Sequence, residues 1–113
     1  MVGAYVPEAG DLIWIDSDPH AGREQAKRRP ALVLTDQAYN RVSSLVVVCP
    51  ITSRRKPYPF ALPVVIDQVE GAILVDHLKN LDWAARHAEF DSKAEPALLA
   101  KVRAYIAVLL GIR

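Results

Sequence analysis

Arg29 and Thr52 are the two residues of this 113-residue chain whose types and positions point most directly to chemistry. Arg29 stands just before Pro30 and the apolar run at 31–34, and Thr52 follows Ile51 at the end of another apolar stretch. If those two stretches pair as strands, both side chains emerge at the same end of a sheet. A guanidinium can grip two phosphate oxygens through parallel hydrogen bonds, and a threonine hydroxyl supplies a further donor. Together they could hold a phosphodiester and stabilise charge developing on it. Thr52 alone also reads as a strand-end hydroxyl that satisfies its own backbone.

Basic residues gather around both positions. Residues 20–29 contain Arg23, Lys27, Arg28 and Arg29 against Glu24, a balance of +3, and Arg54, Arg55 and Lys56 give residues 52–60 another +3. The whole chain carries only +1, so the rest of it is negative by 5 and the total alone does not predict a nucleic-acid partner. Clustered Lys and Arg contact phosphates, although the same residues also serve as solvated loops. Tyr58 and Phe60, beside the second cluster, could stack unpaired bases, with Phe60 reading equally as core.

Other chemistries find little support. His20, His77 and His87 form no H-E-x-x-H or H-x-x-x-H pair, and a single cysteine excludes a Cys-rich zinc site or an intrachain disulfide. No Gly-x-Gly-x-x-Gly or P-loop pattern is present. Cys49, between Val48 and Pro50, reads as a buried, inert thiol. The first ten residues lack the basic and apolar regions of a secretory signal, and no apolar stretch has the roughly 18–20 residues that span a bilayer. With 51% hydrophobic and 24% charged residues, the expectation is one soluble, cytoplasmic domain over residues 1–113.

The elements that must position these residues are short. Residues 12–15 read as a strand, 16–29 as a long loop, 31–34 as a second strand and 45–49 as a β-branched central strand. Residues 37–44 are a polar connection with room for one helical turn. A fourth strand at 60–66 and a fifth at 72–78 flank a turn at Glu70-Gly71, and 81–88 is a further short strand. Leu98, Leu99, Val102, Tyr105, Ile106, Leu109 and Leu110 recur with helical period, Pro96 suits the first helical position, and Gly111 suits a left-handed cap. The fold class is therefore mainly β: five to six antiparallel strands in a strongly bent sheet or partial barrel, plus one amphipathic C-terminal helix.

The same residues carry a family resemblance. Tyr5-Val6-Pro7-x-x-Gly10-Asp11-Leu12-Ile13-Trp14-x-Asp16-x-Asp18-Pro19 resembles the opening of MazF/PemK-type toxins of bacterial type II toxin–antitoxin systems. Gly22-x-Glu24-Gln25-x-x-x-Arg29-Pro30-Ala31-x-Val33-Leu34, Pro50-x-Thr52-Ser53 and Lys56-x-Tyr58-Pro59-Phe60 continue it, and Val75-Asp76-x-Leu78-Lys79-x-Leu81-Asp82-Trp83-x-Ala85-Arg86 completes it. The resemblance implies an SH3-like small barrel of the CcdB/PemK type and a homodimer. It also implies metal-independent, sequence-specific cleavage of single-stranded RNA, chiefly mRNA, to 2′,3′-cyclic phosphate and 5′-OH ends. The implied partner is a cognate antitoxin whose acidic, disordered tail covers the basic groove.

Carried over residue by residue, the family's catalytic arginine and threonine fall on Arg29 and Thr52, and its loop glutamate on Glu24. Arginine stays protonated in proteins, so Arg29 suits a clamp better than a base, which leaves Glu24 and His20 as alternative bases. RNA contacts are expected from His20, Lys27, Arg28, Ser53, Arg54, Lys56 and Tyr58, and from Asp76, His77 and Lys79 farther along. His20 and His77 depart from the family pattern. Two other readings are a gyrase-poison-like toxin of the same fold and an RNA-binding module without catalysis. The ending Leu109-Leu110-Gly111-Ile112-Arg113 offers no aromatic tail for the first.

Overall fold

The computed structural model describes residues 4–17, 27–53 and 58–113. Over them the order is β1 (Asp11–Asp16), β2 (Arg28–Val33), α1 (Gln37–Ser43), β3 (Leu45–Thr52), β4 (Ala61–Ile66) and β5 (Val69–Leu74), then a 3-10 turn (Val75–His77), β6 (Lys79–Asp82), β7 (Glu89–Lys93) and α2 (Pro96–Leu110). The strands form one antiparallel sheet in the order β4-β5-β3-β2-β1-β7, with β6 also on β3. β4 and β7 end the path, so the sheet curls into a half-barrel that stays open between them.

The apolar runs of β1, β2 and β3 follow from burial on both faces of this sheet. On one face Leu12, Leu32, Cys49 and Ile51 join Leu62, Val64, Ile66 and Ile73 under α2, whose Val102 is fully buried. On the other, Ile13, Ile15, Ala31, Val33, Val46, Val48 and Leu81 form a second core beneath Tyr5, Trp83 and Ala88. Alternate residues of each strand thus serve different cores, as a period of two requires.

The structure departs from the sequence reading in particular places. The β4–β5 turn is at Asp67-Gln68, both left-handed (φ 53° and 63°), with Ile66 opposite Val69. Such a pair of positive φ values matches the twist of a two-residue hairpin. The expected turn at Glu70-Gly71 instead lies inside β5, and that strand ends at Leu74 rather than 78. Gly71 answers a different need: a Cβ there would lie 2.8 Å from the Thr52 carbonyl oxygen on β3. Its absence lets two backbones approach closely. The expected 81–88 strand is confined to β6, and the unforeseen β7 pairs with β1 across a bulge at Leu12/Ile13. The polar 37–44 connection forms two turns of helix rather than one. α2 begins with Pro96 at its first turn and ends on Gly111 (φ 72°), as the sequence indicates. Its last turn, however, leaves Leu109 and Leu110 exposed.

β3 changes neighbours partway along. Residues 45–48 pair with β6 and residues 51–52 with β5, the 3-10 turn interrupting the ladder between them. Pro50, which has no N–H, sits at that interruption.

Candidate active site

β2 and β3 run antiparallel with Ala31 opposite Pro50, Leu32 opposite Cys49 and Val33 opposite Val48. Carried two residues further, this register brings Arg29 and Thr52 level at one end of the two strands. Both line a single cavity of about 430 Å³, together with Trp14, Arg28, Pro30, Ile51, Ser53 and the β4–β5 hairpin residues Ile66, Asp67, Val69, Glu70 and Gly71. Arg29 and Ser53 are exposed and Thr52 is half-buried, so the charged fork and the hydroxyl are within reach of solvent-borne substrate. A larger groove of about 530 Å³ lies between β4 and β7 and includes none of the expected site residues.

Two expected residues at the loop neck behave differently. Lys27 is exposed. Arg28 is tied to the scaffold: Nη1 donates to Asp16 Oδ1 (2.7 Å) and the Arg86 carbonyl (3.3 Å), and Nη2 to Glu89 Oε1 (3.1 Å) and the Trp14 carbonyl (3.4 Å). His20 and Glu24 in the first basic segment, and Arg54 and Lys56 in the second, lie outside the described residues.

Tyr58, Asp76, His77 and Lys79 form a second group. The Tyr58 hydroxyl donates to Asp76 Oδ2, and this bond, followed by burial, raises the phenol above its ordinary pKa. His77 Nε2 lies 3.9 Å from Asp76 Oδ1, and both His77 and Lys79 are exposed. Phe60, in the turn before β4 rather than in the strand expected from residue 60, is half-buried against the core, tilted to Tyr58 (6.4 Å between ring centres) and edge-on to Tyr105 (6.0 Å). This group does not line the Arg29/Thr52 cavity. Cys49 is fully buried and its thiol is pushed up to about 12, mainly by burial, which leaves it inert at ordinary pH. Among the described residues no three of His, Cys, Asp and Glu form a set that could hold a metal ion.

The sequence reading missed the hairpin wall of the cavity, because it placed the turn three residues late and so lost Asp67 and Val69 from view. It also passed over Asp16 and His87, which meet only across 71 positions of sequence. The buried acid at the end of an apolar strand was the one available signal.

Comparison with known proteins agrees with this architecture. The chain is 40% identical over 111 residues to the endoribonuclease toxin MazF of Escherichia coli (strain K12), covering 98% of this chain and all of that protein. It is 30% identical over 108 residues to the endoribonuclease PemK of Escherichia coli, covering 91% and 81%. The crystal structure of MazF (form I) from Deinococcus radiodurans superposes with a TM-score of 0.84 at 48% identity, over 96% of this chain and 99% of that one. A MazE–MazF crystal structure (form III) from the same organism gives 0.85 at 45% identity, over 96% and 100%. The family profile described as "PemK-like, MazF-like toxin of type II toxin-antitoxin system" matches residues 8–110, and the chain belongs to that family.

Proposed function

We propose that the chain is an endoribonuclease toxin that cuts single-stranded RNA at the Arg29/Thr52 cavity. The observation that carries this reading is that a guanidinium and a hydroxyl from separate strands line one solvent-open cleft. The ribose 2′-OH attacks the adjacent phosphorus, its proton passes to a base, and the 5′-oxygen leaves and is protonated. The products are a 2′,3′-cyclic phosphate and a 5′-OH. Arg29, always protonated, clamps the non-bridging oxygens and stabilises the charge that builds on them. Thr52 adds a hydroxyl donor to the same group. Glu24 or His20 takes the 2′-OH proton.

Flanking nucleotides contact Lys27, Ser53, Arg54 and Lys56 near the scissile bond, and Tyr58, Asp76, His77 and Lys79 beyond it, while Arg28, expected among these contacts, serves the scaffold through Asp16 and Glu89. The chain acts as a homodimer in the cytoplasm and is restrained by a cognate antitoxin with an acidic, disordered tail. A structural relative is itself seen with its MazE partner, which supports that pairing. Purified protein incubated with single-stranded transcripts in EDTA tests the reading. Cleavage should leave cyclic phosphate ends, and Arg29→Ala and Thr52→Ala should each slow it by on the order of a hundredfold or more. Undiminished cleavage by both variants would remove the site.

A further inference from the structure

We propose that Asp16, gripped by Arg28 and His87, is a positioning residue that fixes the neck of the β1–β2 connection, and that its His87 arm makes this grip depend on pH. The proposal rests on Arg29 and Thr52 being the reactive pair. Asp16 is only 3% exposed, and each carboxylate oxygen meets a different nitrogen: Oδ1 with Arg28 Nη1 and Oδ2 with His87 Nδ1, both at 2.7 Å. A carboxylate so deeply buried is tolerated only when paired and hydrogen-bonded.

Its place in the sheet gives the grip a purpose. Asp16 is opposite Arg28, and Ile15 is opposite Arg29, so the anchored pair is one register step from the candidate catalytic arginine. The Ser17 N–H donates to the Lys27 carbonyl (2.8 Å), closing the neck just beyond. The turn after β6 is clamped over it: the Arg86 carbonyl accepts from the Asp16 N–H (2.8 Å), and Arg86 Nη1 donates to the carbonyls of Asp16 (3.1 Å) and Ser17 (2.7 Å).

His87 holds its contact at a local penalty. Its φ is +54°, a left-handed turn conformation that costs a side-chain-bearing residue more than it costs glycine. The charged groups facing this cluster are Asp16 from β1, Arg28 from β2, Arg86 from the same turn and Glu89 from β7, which also binds Arg28 at 3.1 Å. Protonated histidine makes a charge-assisted bond to Asp16 that neutral histidine cannot match. The neck is therefore held more firmly when His87 carries a second proton than when it is neutral.

The test compares wild type with His87→Gln and His87→Gly, both of which leave the Arg28 pair in place. Single-turnover cleavage of a transcript is read from about pH 5.5 to 8.5, where histidine changes charge. The ratio of wild-type to His87→Gln rates should be about tenfold at the acid end and fall toward one at the basic end, a loss expected when a reacting group is slightly misplaced. Binding to a 2′-deoxy, uncleavable analogue should change less than about twofold. His87→Gly, which relieves the left-handed φ but leaves Asp16 Oδ2 without its partner, should show the same flattened profile. A second readout is independent of cleavage: the hydrogen-exchange protection factor of the Ser17 amide should rise on acidification in wild type and not in His87→Gln. Identical pH profiles and identical Ser17 protection in all three proteins would overturn the proposal. Absence of RNA cleavage by wild type would overturn the proposed function, while Ser17 protection would still decide the anchor.

Discussion

Single residues of this chain divide between holding the scaffold and serving the cavity, and adjacent arginines differ in this although both line it. Arg28 spends both terminal nitrogens on Asp16, Glu89 and two carbonyls, while Arg29, next along the strand, is exposed at the cavity. Two neighbours in a strand point to opposite faces, so a run of basic residues need not share one task. Arg28 and His87 hold the Asp16 carboxyl below the ordinary carboxylate pKa through their hydrogen bonds, outweighing burial. The sign of the consequence is fixed by linkage: the unfolded chain binds this proton more readily than the folded one. Stability from Asp16 is thus fully present above the ordinary carboxylate pKa of about 3.9 and is lost as pH falls through the lower, folded value. Urea denaturation midpoints should drop between about pH 5 and pH 2 in wild type, and drop less in Asp16→Asn, which has no such proton to gain. An equal drop in both would assign acid sensitivity to other carboxylates.

At the scale of elements, the strongly periodic pieces were legible and the pieces defined by partners were not. β1, β2 and β3 announce themselves as apolar runs because two cores bury both of their faces, and α2 by its repeat, its proline start and its glycine end. β7, with the sequence Glu-Phe-Asp-Ser-Lys, has one large apolar residue and is a strand only because β1 offers a ladder. The β4–β5 hairpin was misplaced because glycine ordinarily marks a turn, whereas Gly71 marks a close crossing of β3. That crossing gives a direct test. Gly71→Ala would drive a Cβ to 2.8 Å from the Thr52 carbonyl, and neither backbone can yield without moving the residue that lines the cavity. We expect a loss of about 1–3 kcal/mol in chemical denaturation, as for an overfilled core. Cleavage should fall further than the folded fraction accounts for. A variant with full activity and reduced stability would separate the crossing from the reaction.

Over the whole molecule, the meeting of Arg29 and Thr52 at one cavity was legible in the sequence while the rest of the cavity was not, because strand register follows from local pattern and a cavity wall follows from remote chain. Charge is a property of this scale as well. The total is +1, yet two short segments of +3 each border the strands that carry Arg29 and Thr52, and the remainder is negative. A polyanion bound at the cleft releases counterions in proportion to the phosphates it brings to those segments, so its affinity must fall with salt. For single strands each neutralised phosphate adds about −0.7 to the slope of log K against log salt. Binding of an uncleavable 2′-deoxy analogue, measured across a salt series, should therefore show a clear negative slope. Arg54→Gln and Lys56→Gln should each shallow it by about 0.7, and Val42→Ser, at an uncharged exposed position of α1, should leave it alone. An acidic peptide standing in for an antitoxin tail should compete with the analogue, and less well as salt rises, since both ligands read one field. Slopes indifferent to Arg54 and Lys56 would mean that the nucleic acid follows a path away from the second basic segment, and the contacts assigned there would go with it.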